Sequence, residues 1–112
     1  MNNPQTKYDY NEDIDILHIY SDKINQGVKG CLSFGEYTVD IGMDNSVVGI
    51  ELEEASKLLN LSENDLESLD SVRLIVRKVS NLLFIGFVVM KNQKESTFQF
   101  SVPSNKVEIT VN

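Results

Sequence analysis

The stretch LLFIGFVVM, Leu82 to Met90, constrains this chain more than any other segment. It is apolar at every position but Gly86, so a strand built from it has no face suited to water. It is far too short for the ~20 residues of a membrane-spanning helix, and its branched and aromatic side chains favour an extended backbone. Such a strand belongs at the centre of a sheet covered on both sides, or at a subunit interface.

Its neighbours in the sequence are suited to flank it. Val72–Val79 alternates, with Val72, Leu74 and Val76 on one side and Arg73, Ile75 and Arg77 on the other, and Ser80-Asn81 supplies a tight turn. Beyond the polar turn Lys91–Glu95, Thr97–Val102 points Phe98, Phe100 and Val102 one way and Gln99 and Ser101 the other. Pro103-Ser104-Asn105 interrupts this pattern, and Val107, Ile109 and Val111 predict a final strand.

The first half reads differently. Asp9–Asp13 is polar and turn-like, Ile14–Tyr20 is a strand, Ser21–Gly30 is a loop or an irregular edge, and Cys31–Phe34 is a short strand. Tyr37–Ile41 and Val47–Leu52 form a hairpin whose turn places Asn45 where a left-handed conformation is needed. The period then changes. Ala55, Leu58 and Leu59 recur at helical spacing within Glu53–Asn60. Ser62 caps a second short helix, with Leu61, Leu66 and Leu69 as its staple and apolar face. These elements predict an α+β fold: an antiparallel sheet meander with one short helical pair between two strand blocks, the helices covering one sheet face.

The 112 residues fit a single domain, 1–112, with 8–60 forming the hairpin region and first helix and 61–112 the second helix and C-terminal strands. A hydrophobic fraction of 41% with 24% charged residues is globular composition, not disorder. Met1–Asp15 lacks the basic-then-apolar order of a signal peptide. The single cysteine, Cys31, precludes an internal disulfide, so a cytoplasmic location without membrane association is expected. Net charge is unevenly spread: residues 1–70 hold 15 acidic and 4 basic groups, residues 71–112 hold 2 acidic and 6 basic groups. The acidic body disfavours nucleic acid, because phosphate repulsion must first be overcome.

Motifs for chemistry are sparse. His18, the only histidine, excludes a histidine metal cluster within one chain and reads as a packed or half-exposed strand residue. Asp40 and Asp44 flank a turn opposite Glu51, yet DIGMDNS lacks the every-other-residue acids of a calcium loop. Asp13 and Asp15 lack the cleft that a pair of catalytic acids requires. The six glycines form no phosphate loop, and Gly49 and Gly86, inside strand patterns, mark bulges or close backbone approach. Neither a cofactor nor a metal is expected.

Two segments carry a family resemblance. YNEDIDILHI, Tyr10–Ile19, and TVDIGMDNSVVGIELEEAS, Thr38–Ser56, resemble the domain of unknown function 2283 family in its longer, archaeal-like form. The VVGIEL-x-x-AS portion is the more specific. Gly42 stands where that family commonly has an acid, Asn45 where it has glycine, and His18 where it has tyrosine. The resemblance implies a small β-rich prokaryotic protein with no established activity, and marks Asp15, Asp40, Gly49, Glu51, Ala55 and Ser56 as positions of importance, structural or functional.

These readings lead to a non-enzymatic protein-binding or assembly module, a homodimer or the partner of another small protein, antitoxin-like or regulatory in kind. One alternative is a metal-dependent hydrolase using Asp13, Asp15, Asp40 or Glu51. Another is weak DNA binding through Arg73, Arg77, Lys78 and Lys91, which requires those four on one face.

Overall fold

A computed structural model describes residues 5–111; the remainder of the expected 1–112 domain, and the start of the Met1–Asp15 segment, lie outside the described residues. Strands hold 56% of the described chain and every pairing is antiparallel. In chain order they are β1 (Thr6–Asn11), β2 (Ile16–Ser21), β3 (Val28–Phe34), β4 (Tyr37–Gly42), β5 (Val47–Leu52), β6 (Ser71–Val79), β7 (Leu82–Lys91) and β8 (Lys94–Pro103). A short 3-10 helix over Asp22–Gln26 joins β2 to β3, and helices α1 (Ala55–Leu59) and α2 (Glu63–Glu67) lie between β5 and β6.

The strands form two sheets rather than one meander. The larger has order β1-β2-β5-β4-β3 and the smaller β6-β7-β8. The larger departs from sequence order because β2, β4 and β5 carry Leu17, Ile19, Val39, Ile50 and Leu52, all buried, and so occupy interior positions. The more polar β1 and the exposed β3 take the edges, where charge and irregularity guard against unwanted pairing.

The two sheets enclose one core. Leu17, Ile19, Val39, Ile50 and Leu52 from the larger sheet meet Leu83, Ile85, Phe87 and Val89 from the smaller. Tyr37 stacks on Phe100 with ring centroids 4.2 Å apart and meets Phe98 edge-on at 5.3 Å, joining β4 to β8 across the interface. The second sheet, not the helices, therefore covers the first. The expected helical pair consists of two five-residue helices that add Ala55, Leu59 and Leu66 to the same core. The α+β expectation matches only in part, because five-residue helices cannot bury enough surface to form a layer.

Individual elements follow their local signals. Asn45 is left-handed at φ 66°, and Ser62 Oγ accepts from the Asp65 amide at 3.1 Å, capping α2. The β4–β5 hairpin holds, with a bulge between Asp40 and Ile41. Two expectations are corrected. Asp9 belongs to β1, whose core side carries Tyr8 and Tyr10, tyrosines that pack on the core through their rings while their hydroxyls bond elsewhere. The segment with Val107, Ile109 and Val111 packs these side chains on the core but joins no strand ladder; its Thr110 amide instead donates to the Asn45 carbonyl at 2.9 Å.

Candidate functional site

The family-like residues fall into two constellations at different places on the larger sheet. The first is built around Asp15, at φ 52° just before β2. Tyr10 Oη donates to Asp15 Oδ1 at 2.6 Å, Ser56 Oγ donates to Oδ2 at 2.7 Å, and the Ser56 amide donates to Oδ1 at 3.1 Å. The Asp15 carbonyl also accepts from the Ala55 amide at 3.1 Å. Helix α1 has no local cap: Glu54 precedes it in a left-handed conformation and its side chain makes no capping bond. Asp15 therefore serves the first amides of a helix 41 residues away in sequence.

Burial raises the Asp15 carboxyl's proton affinity, but the bonds from Tyr10 and Ser56 outweigh it and hold the pKa below the ordinary 3.8. Burial, then the bond to Asp15, push the Tyr10 phenol well above its ordinary value. The carboxylate is committed to the hinge between β1–β2 and α1. Asp13, the other acid of this segment, is exposed and makes no side-chain bond to the cluster.

The second constellation occupies the outer face of the larger sheet. Register places His18 beside Glu51 and Asp9, and Gly49 between Tyr20 and Asp40, with Cys31 beyond. His18 Nε2 reaches across Gly49 to Asp40 Oδ2 at 2.9 Å, and Cys31 Sγ lies 3.4 Å from Asp40 Oδ1. A β-carbon on Gly49 would stand 2.5 Å from Asp40 Oδ2 and 3.0 Å from His18 Nε2. An added carbon would push the Asp40 carboxylate aside, so glycine here is what leaves room for the closed His18–Asp40 pair.

The bond to Asp40 raises the His18 pKa above 6.5 against the opposing effect of burial, helped by the charges of Asp40, Glu51 and Asp9. The same bond lowers the Asp40 pKa, against burial. Burial and then Asp40 push the Cys31 thiol up, away from the reactive thiolate. Asp40 sits between histidine and cysteine, so no imidazole reaches the sulfur, and an aspartate held by two donors is a poor base. Among the described residues, no three or more His, Cys, Asp or Glu side chains form a group that could hold a metal ion.

This pair has a measurable consequence. A histidine whose folded pKa is raised stabilises the fold below its unfolded value of about 6.5, and the contribution fades as pH rises through the folded pKa. Asp40 works in the opposite sense, its contribution fading as pH falls below 3.8 through the lowered value. Stability from the pair should therefore peak between the two and decline as pH rises from about 6.5 through the raised histidine pKa, by on the order of 1 kcal/mol for a partly exposed pair. Urea denaturation across pH 5 to 9 should show the decline, and His18→Gln should flatten it. NMR titration of the imidazole should give a pKa above 6.5 that returns towards it in both Asp40→Asn and Gly49→Ala. An unshifted imidazole in the native protein would contradict the geometry.

The sequence's basic candidates separate. Arg73 and Arg77 point outward from the smaller sheet with Ile75, whereas Lys78 falls on the opposite side of β6. Lys91 Nζ donates to the Ser68 carbonyl at 2.6 Å and to Ser68 Oγ at 2.8 Å, closing the end of α2. The single basic face that DNA binding requires is absent from this set of four. Tyr8, which sequence reasoning did not single out, accepts from the Leu69 amide at 2.8 Å and fixes the exit from α2. Its only signal was alternation with Tyr10.

The outer face of the smaller sheet has a different character. Val79 and Leu82 are exposed, and Ile75, Phe84 and Met90 are half-buried. Val88, turned away from the core, is nonetheless buried among its neighbours. The apolar run that opened the sequence analysis is thus enclosed on its inner side and only partly screened on its outer side.

Together these features define a two-sheet antiparallel domain with a polar outer face on one sheet and an apolar, arginine-flanked face on the other. The chain matches no family model, no curated protein and no solved structure. None of the helices among the described residues is long and apolar enough to cross a membrane.

Proposed function

We propose that this protein is a non-enzymatic binding or assembly module that acts through the outer face of β6-β7-β8, covered by a second copy or by another small protein. The observation that carries this reading is the outward apolar surface of β7, a strand whose composition calls for cover on both sides. Two of the four acids offered for hydrolysis, Asp15 and Asp40, support it from the other direction. Asp15 is spent on Tyr10 and Ser56, Asp40 on His18 and Cys31, and the two carboxylates serve separate constellations.

We also propose, on the sequence resemblance alone, that the chain is a divergent member of the domain of unknown function 2283 family. Asp15 of the first segment bonds Ser56 of the A-S pair, and Asp40 closes over Gly49 of V-V-G.

Site-specific photocrosslinking in cells tests the functional reading. A photoreactive residue at Leu82 should trap a discrete protein adduct that the same residue at Lys57, on α1, does not. Equal trapping at both positions, or none at Leu82, would count against it. So would a hydrolytic activity of the purified protein that Asp40→Asn or Glu51→Gln abolishes.

A further inference from the structure

Charge and chemistry on this face point to one kind of occupant, an inference that rests on the face being an interface. Register sets Arg73 beside Val88 and Thr97, Ile75 beside Gly86 and Gln99, and Arg77 beside Phe84 and Ser101. Two guanidiniums thus stand four residues apart on one strand, about 13 Å along it, with apolar surface between them. Arg77 lies over the Phe84 ring at 5.3 Å from its centroid, which holds one guanidinium against the apolar floor. Among the described residues, neither arginine has a carboxylate partner. Guanidiniums placed so are suited to carboxylates presented from outside.

We infer that this face binds an acidic protein segment with carboxylates spaced to meet Arg73 and Arg77 and an apolar side chain between them. A second copy fits less well. Three strands of nine, ten and ten residues offer a face of about 14 by 30 Å, roughly half of the ~800 Å² that each partner contributes to a standard stable interface. Face-to-face pairing would also bury four guanidiniums, and Glu95 is the only carboxylate among the strand residues that share this face. Buried charges without partners oppose such association. Nucleic acid fits less well again, since two arginines separated by an apolar strip cannot follow a backbone that carries a phosphate at every nucleotide.

The test uses the full chain, labelled with 15N, and a synthetic nonapeptide bearing glutamates at its third and seventh positions and phenylalanine at its fifth. Two further probes are the same peptide with both glutamates replaced by lysine and a single-stranded oligonucleotide. The glutamate peptide should shift the amide signals of Arg73–Val79 and Leu82–Val88. Arg73→Glu with Arg77→Glu should weaken binding at least tenfold, while the control Lys57→Glu with Lys106→Glu, away from this face, should leave it unchanged. Leu82→Asn, at a position already 42% exposed and so tolerant of the change, removes apolar contact without adding charge and should also weaken it. If Leu82→Asn matters but the arginines and the peptide's charge do not, the face is an interface and the acidic partner is wrong. If neither matters, or no probe shifts these amides, the interface itself falls. Preference for the oligonucleotide, or a dimer in sedimentation that the arginine reversal dissociates, would also overturn the inference.

Discussion

Replacing Gly86 by alanine is expected to destabilise the protein by roughly 3 kcal/mol, the upper range for forcing an atom into a packed interior. Gly86 lies mid-way along β7, the central strand of the smaller sheet, opposite Ile75 on one side and Gln99 on the other. A β-carbon there would collide with the Phe98 carbonyl oxygen and stand 2.6 Å from Gln99 Cα. Both are backbone atoms, so no rotamer change relieves the clash and β8 must move away from β7. That displacement would fall where Phe98 and Phe100 dock against Tyr37 and join the two sheets. Chemical denaturation should register the loss as a lowered midpoint. Gly30→Ala is the internal control, since nothing lies within 4 Å of the added carbon, and it should stay within about 0.5 kcal/mol of the native protein. A Gly86→Ala protein as stable as that control would refute the close approach of β7 and β8.

Asp15→Ala should have an effect of similar size. It removes a carboxylate that accepts from the Tyr10 hydroxyl, the Ser56 hydroxyl and the Ser56 amide, leaving partly buried donors without partners. Hydrogen bonds to a charged group contribute about 1.5–3 kcal/mol each. Because three donors share one carboxylate, their contributions do not add, and a total near 3 kcal/mol is expected. For a domain of this size that corresponds to a fall of roughly 10–20 °C in Tm. Asp15→Asn retains an acceptor and tolerates the left-handed backbone, so it should lose less than half as much. Tyr10→Phe and Ser56→Ala should each be milder than Asp15→Ala, and a double-mutant cycle between Asp15 and Ser56 should show coupling. Independent, additive effects would mean that Asp15 does not cap α1.

The Asp15 bonds also show why the family-like residues were visible in the sequence before their roles were. In the sequence Asp15 and Ser56 stand in two separate segments, Tyr10–Ile19 and Thr38–Ser56, with nothing to connect one to the other. Their contact depends on β2 pairing with β5, a pairing between strands that are not neighbours in sequence. No local signal specifies it. In the same way, His18, Asp40 and Gly49 come from three strands, and only the register that stacks them shows that glycine is needed beneath a closed pair. The basic residues followed the reverse course. Arg73, Arg77, Lys78 and Lys91 look like one group in sequence, but strand alternation and the α2 terminus send them to different places.

What the sequence determined by itself was set by interactions short along the chain. The period-two alternation of β6 and β8, the turns at Asn45 and Ser80-Asn81, the Ser62 cap and the apolar run of β7 depend on residues within a few positions of one another, so they were legible without the fold. The tertiary structure alone decided that the strands divide into two sheets, that β1 forms at the edge, and that the last apolar segment packs without pairing. It also decided which side of β7 the core would cover. The physical reason is that burial rewards a complete enclosure: β7 has two apolar faces, the larger sheet covers one, and nothing in the local pattern says which face remains for a partner.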